Sequence, residues 1–419
     1  MTSRERVRLT LNHQKPDKVP LDLGGTQVTG IQALLYNKLR EALAVGKGRL
    51  VKVYEPFQML AEVEEEIRRA LAIDIVGISF PQTMFGYKNE NWKPFTMFDG
   101  TEVLVSGLME YDILPNGDIV QYPQGCRSAP PSAKMPRDGF YFDNIVRQEP
   151  IEENSLDPGA WVNQTYSLYS DEDLRFLEEA VRYYYENTEY SLVGNFWGAG
   201  FGDIAFVPGP NISRPVGIRD PEEWYISFIS RKQYIQDIFN IQHELQMKNL
   251  EMYREAVGDR LDVIVMGGTD FGSQNGPFFA PQTYREMFKP FHKIMNNWVH
   301  AHTEWKTFYH TCGAIVEFFD DFAEAGMDIL NPVQISAAGM DPAFLKSNYG
   351  DKFVFWGGGV NTQKTLPFGT PEEVRQEVKS NISILSEDGG FIFASVHNIQ
   401  ATVPIENLLA LFQSFREFR

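Results

Sequence analysis

Short apolar runs alternate with helical stretches along most of this chain, and no pattern in it restricts the possible folds more. The strand-like runs are Val19–Gly25 (VPLDLGG), Asp74–Ser79 (DIVGIS), Tyr190–Phe196 (YSLVGNF) and Asp262–Gly267 (DVIVMG). Four more follow at Lys306–Cys312 (KTFYHTC), Ile329–Gln334 (ILNPVQ), Phe353–Gly359 (FVFWGGG) and Phe391–His397 (FIFASVH). Helical patterns separate them at Ile31–Leu43, Ser170–Asn187, Pro221–Val257, Pro281–Val299 and Ala314–Ala325. Pro371 after Thr370, and Pro404 after Thr402, read as helix starts. Continuous apolar strands joined by helical crossovers imply a parallel sheet covered on both faces. Eight such units predict an α/β chain closed into a (β/α)8 TIM barrel. No G-x-G-x-x-G loop follows the first run, which weakens the rival open dinucleotide-binding sheet.

The rhythm breaks after the second run. Residues 81–157 are rich in Gly, Pro, Tyr and Asp, with turn signals at Phe98–Gly100 and Pro115–Asp118. They read as an antiparallel β insertion after strand two, lying over a single barrel domain that spans 1–419.

Composition excludes several functions. With 38 Lys+Arg against 56 Asp+Glu, the formal net charge is −18, which disfavours nucleic-acid backbones and anionic membranes. The N-terminus is charged and polar, without a signal-peptide core, and no apolar run reaches membrane-spanning length. Two cysteines, Cys126 and Cys312, make no disulfide framework, and a reducing cytoplasm is expected. Cys126 reads as a loop thiol, and the acidic run Glu62–Glu66 as a solvated helix face.

In a (β/α)8 barrel the active site lies at the C-terminal ends of the strands. Those ends carry Asp22, Asn195, Asp270, Gln274, Asn331, Gln334, Asn361, Asn398 and Gln400. Polar residues gather wherever loops begin, so singly most of these carry little weight. His310 and Cys312 carry more. Residues i and i+2 of a strand share a face, so if His310 faces the barrel mouth, Cys312 does too. Imidazole and thiolate are good zinc ligands, and a catalytic zinc takes about three protein ligands with one position open. His397, at the same level on the last strand, is the best third ligand. The competing readings are a buried apolar cysteine beside a hydrogen-bonded histidine, with His397 donating to substrate carboxylates.

Five segments resemble the uroporphyrinogen decarboxylase superfamily in order and spacing. They are RERVRLTLNHQKPDKVPLDLGG, GGTDFGSQNGPFFAPQTYREMFKPFHKIM, FYHTCGAIVEFFDDFAEAGMDILNPVQ, GDKFVFWGGGVNTQKTLPFGTPEEVRQEV and GGFIFASVHNIQATVPIENLLALF. True decarboxylases of that superfamily bind substrate carboxylates through an arginine-rich signature near the N-terminus. Here the corresponding stretch reads LDLGGTQVTG, with no arginine. The resemblance is closer to the corrinoid-dependent methyltransferases, which hold zinc with H-x-C and a later cysteine. His310 and Cys312 match the first part, and His397 stands at the later position. This resemblance implies a zinc-dependent methyltransferase moving a methyl group between a corrinoid (cobalamin) protein and a thiol or similar small-molecule acceptor. Zinc would sit on His310, Cys312 and His397. Asp270 and Asp22 are the candidate catalytic carboxylates, and Asn195, Gln274, Asn331, Gln334, Asn361, Asn398 and Gln400 would shape the substrate pocket. Metal-free decarboxylation and non-enzymatic corrinoid or tetrapyrrole binding are the alternatives.

Overall fold

The computed structural model describes all residues, Met1–Arg419. Seven of the expected runs form one curled, parallel sheet. Its order is Phe391–Ile392, Val354–Trp356, Ile329–Asn331, Lys306–His310, Val263–Gly267, Ser191–Asn195 and Ile75–Ile78. The first run, Val19–Gly25, makes no extended strand. Pro20 has no N–H to donate, and Gly24 turns the chain with φ +83°. What remains is a parallel bridge between Leu21 and Phe393. Asp22 N–H donates to Phe393 O at 2.9 Å, and Asp74 N–H donates to Leu21 O at 2.9 Å. Residues 20–22 therefore stand between the two outermost strands.

The sheet curls around a compact apolar filling. Ile75, Val193, Val263, Val265, Phe308, Ile329, Val354, Trp356 and Ile392 point into it, one or two from each strand. Val7 and Leu11 of the helix Ser3–Leu11 join them, so the N-terminal helix plugs the end of the sheet opposite the site. The other strand faces pack against the outer helices in a second, larger core.

The helical stretches break where backbone chemistry requires. Pro221–Val257 divides into Pro221–Ser230 and Lys232–Val257, with Arg231 at φ −133°, ψ 41°. Pro281–Val299 divides into Pro281–Met287 and Lys289–His302, because Pro290 cannot supply the N–H that a continuous helix needs. Helix Pro371–Leu385 starts with the expected proline and a Thr370–Glu373 capping box. Helix Ile405–Phe418 begins directly after Pro404. No helix is long and apolar enough to cross a membrane.

The region 81–157 contributes to two four-stranded sheets. One is wholly antiparallel: Tyr111–Ile113, Ile119–Gln121, Ala133–Met135 and Asp143–Asn144. The other pairs Lys93–Thr96 and Glu102–Val105 with Val51–Glu55 and Leu60–Ala61, which precede the insertion and were not expected as strands. Val51–Glu55 runs parallel to Glu102–Val105, so an antiparallel insertion describes only part of the region. Its contacts lead to the site: Phe142 N–H donates to Phe57 O at 2.8 Å, and Asn144 Nδ2 donates to Ala205 O at 3.0 Å.

Candidate metal centre

His310 is the last residue of its strand, and Cys312 follows two residues on. Cys312 Sγ lies 3.3 Å from His310 Nε2. The His397 ring stands with its centroid 5.3 Å from that of His310. One ligand atom from each of the three lies within 4.8 Å of the other two. The nitrogen and sulfur donors, three in number with one side open, match what a catalytic zinc uses.

The tautomer of His310 follows from its neighbours. Asn331 Nδ2 donates to Trp356 O at 2.8 Å, which turns Asn331 Oδ1 toward His310 Nδ1 at 2.6 Å. Nδ1 then carries the proton, and the Nε2 lone pair faces Cys312. Burial lowers the His310 pKa to about 4, partly offset by the Asn331 hydrogen bond. Burial, with the neighbouring His310, lowers that of His397 to about 4 as well. Both rings are therefore neutral near pH 7, as metal ligation requires. Burial, and then the adjacent Asp270 carboxylate, raise the Cys312 thiol well above its ordinary range.

Two loops hold the cysteine in place. Cys312 N–H donates to Asp270 Oδ1 at 2.7 Å, Phe271 N–H to Thr311 Oγ1 at 3.0 Å, and Ala314 N–H to Ser273 O at 2.8 Å. Gly313 makes this approach possible. Its φ is +94°, and a side chain there would collide with the Gly272 carbonyl. Gln334 Oε1 accepts from Gly313 N–H at 2.7 Å, and Gln334 Nε2 donates to Gln274 Oε1 at 3.0 Å.

A cavity of about 640 Å³ opens in front of the cluster and is lined by Asn195, Asp270, His310 and His397 among others. A second, of about 680 Å³, lies under the insertion, lined by Phe140, Tyr141, Asp143 and Gln400. His397, Phe57 and Gln58 line both.

Other expected site residues lie elsewhere. Asp22 is buried, accepts from Trp356 Nε1 and Gly25 N–H at 2.8 Å each, and does not line the cavity. Burial raises its pKa to about 6, against those hydrogen bonds. Gln274 and Gln334 tie loops together behind the cluster. Asn361 caps the turn at Gln363 and Lys364. Asn398 braces Gly30, Gln27 and Gln58 from behind the wall.

Sequence reading missed two carboxylates in the wall. Glu55 is buried and accepts from Phe57 and Gln58 N–H at 2.8 Å each. Burial raises it to about 7. Asp203 accepts from Ala205 N–H at 3.0 Å through Oδ1. Burial, and the nearby Asp270, raise it to about 7 as well. The signals were present: Val51 and Val53 put Glu55 on an apolar strand face, and Asp203 ends the glycine-rich GAGFGD stretch. Two buried polar atoms of the wall, Asn195 Oδ1 and Trp197 Nε1, have no partner in the chain.

No curated protein matches the chain. By structure it is similar over its whole length to a methyltransferase from Methanosarcina mazei, with a TM-score of 0.55 at 16% identity, covering 100% of this chain and 99% of that one. At that identity the likeness is one of fold. Residues 219–418, which carry Asp270, His310, Cys312 and His397, match the family model described as Uroporphyrinogen decarboxylase (URO-D). That match covers a little under half of the chain, its C-terminal part.

Proposed function

We propose that this protein is a zinc-dependent methyltransferase that moves a methyl group between a corrinoid carried by a partner protein and a thiol or similar small-molecule acceptor. The observation that carries the reading is the convergence of His310, Cys312 and His397 within 4.8 Å, beside a cavity that His310 and His397 line. We read the curled sheet with its Leu21 bridge as a (β/α)8 barrel, in one domain with the region 81–157 inserted. The insertion shares the large apolar core through Phe85, Met109 and Phe142, which supports that division. Both cysteines are free, in keeping with a reducing, cytoplasmic setting.

Zinc bound by these three side chains supplies a Lewis acid that lowers the pKa of a coordinated thiol. The chain's own residues prepare for it. Asn331 fixes the His310 tautomer, and Asp270 fixes Cys312 through its backbone N–H. Asp270 also borders the cavity, close enough to orient an acceptor or hold its proton. The superfamily's decarboxylase reading needs arginines for substrate carboxylates, and none lines this cavity.

Elemental analysis of protein purified with zinc under reducing conditions tests the reading. We expect one zinc per chain, lost in Cys312→Ala and reduced at least tenfold in affinity in His397→Ala. Full occupancy in both variants, or a metal-free wild type, would overturn it.

A further inference from the structure

The cavity wall identifies a class of substrate, given that this cavity is the substrate site of the enzyme proposed above. Its charge is one-sided. Glu55, Asp173, Asp203 and Asp270 border it, whereas the only lysine or arginine is Lys88, held by Glu172 at 2.8 Å. Apart from the zinc proposed above, a carboxylate or phosphate would find no free cation there.

One corner is more specific. Trp197 follows the strand Ser191–Asn195 with φ +60°, a strained value for a bulky residue and one that functional sites retain. Its ring packs on Gly268. A methyl carbon placed on Gly268 would lie 2.8 Å from the Trp197 ring and 3.4 Å from Asp203 Oδ2. An aromatic ring and a carboxylate oxygen therefore approach the same point of the wall. Oδ2 accepts no hydrogen bond from the chain, which occupies only Oδ1. Asn195, 5% exposed, lines the same cavity with an unpartnered acceptor, Oδ1, while its Nδ2 is committed to Gly25 O at 3.2 Å. The ring face, the carboxylate and the amide oxygen favour positive charge, while Trp197 Nε1, also without a partner in the chain, is a donor.

We propose that the substrate carries an alkylated ammonium group, seated at the Trp197 ring with Asp203 as its counter-ion. Cations prefer the faces of indole rings, most strongly where water is excluded. The raised pKa of Asp203 fits this assignment, because a buried carboxyl without a cationic partner is driven toward its neutral form.

Titration calorimetry tests the proposal on protein whose metal content is measured in the same preparation. The probes are tetramethylammonium chloride, its neutral isostere neopentyl alcohol, and sodium propionate. We expect tetramethylammonium to bind at least tenfold tighter than the alcohol, and propionate more weakly than either. Asp203→Asn should bring the cation and the alcohol to within about threefold, and Trp197→Leu should weaken the cation by several-fold. Equal binding of cation and alcohol by the wild type, or tighter binding of propionate, would overturn the proposal. Cation preference in a metal-free preparation would leave this proposal standing and remove the zinc reading. Zinc-loaded protein without the preference would do the reverse.

Discussion

Asn331 makes two hydrogen bonds in opposite directions, and the one to the Trp356 carbonyl decides what the other offers His310. An amide turned the other way would present N–H to Nδ1 and move the imidazole proton onto the nitrogen that must bind metal. Asn331→Leu should therefore lower zinc affinity about 10–100-fold, the usual effect of losing a partner behind a metal ligand. Titration against a competing chelator reads this directly, and an unchanged affinity would show that the tautomer is set elsewhere. His310, Cys312 and His397 were legible in the sequence because they lie at or just past strand ends, His397 five residues beyond Phe391–Ile392, and curling the sheet brings those ends together. Asp203 and Glu55 were not. Asp203 lies in a loop, which leaves no periodic trace, and the alternation of Val51, Val53 and Glu55 does not by itself say that this strand joins the sheet shared with the insertion. Asp22, in contrast, sits at the right level of the first run, but Trp356 Nε1 reaches it from inside the sheet and occupies it.

Between elements, the clearest device is the clamp over the broken helix at Phe288. Arg285 belongs to the segment before the break and Lys289 to the one after. Both reach Asp321 of the helix Phe319–Glu324, at 2.9 Å and 2.8 Å. Burial raises the Asp321 pKa, but the hydrogen bonds from Arg285 and Lys289 outweigh it and hold the carboxyl below its ordinary range. A folded-state value below the unfolded one stabilises the protein above about pH 4, and that stability is lost as pH falls through the folded value. Asp321→Asn should then cost about 2 kcal/mol at pH 7, the scale of hydrogen bonds to a charged group. In urea titrations the gap from wild type should close below about pH 4; a gap unchanged at pH 3 would contradict the assignment. Helix starts were the most legible elements, because Thr370–Pro371 and Pro404 act through local chemistry. The strands Val51–Glu55 and Leu60–Ala61 were not: they pair with each other through an irregular register, and Val51–Glu55 finds its other partner, Glu102–Val105, only beyond the next helix and two further strands.

At the scale of the whole molecule, Asp74 gathers the parts that close the sheet. Its carboxylate accepts from Ser3 Oγ at 2.7 Å, Arg6 Nη1 at 2.6 Å and Leu21 N–H at 2.9 Å. The plugging helix, the bridging segment and the first strand thus share one buried group. Arg6→Ala leaves that charge unpaired and should cost about 3–5 kcal/mol, with Asp74→Asn in the same chain restoring part of the loss. Equal stability of the single variant and wild type in chemical denaturation would rule out this role. Alternation of strand and helix announced the parallel sheet, but nothing local in Val19–Gly25 revealed that its pairing would shrink to one bridge. That bridge also has a consequence in time. Leu21 leaves the ribosome long before its partner Phe393, and His397 emerges later still. Until then the nascent chain holds two ligands of the centre, an incomplete cavity and two unpaired sheet edges. Such edges recruit other chains, and the loop that joins them is slow to close. Protection during synthesis is therefore a demand that this architecture places on the cell that makes it.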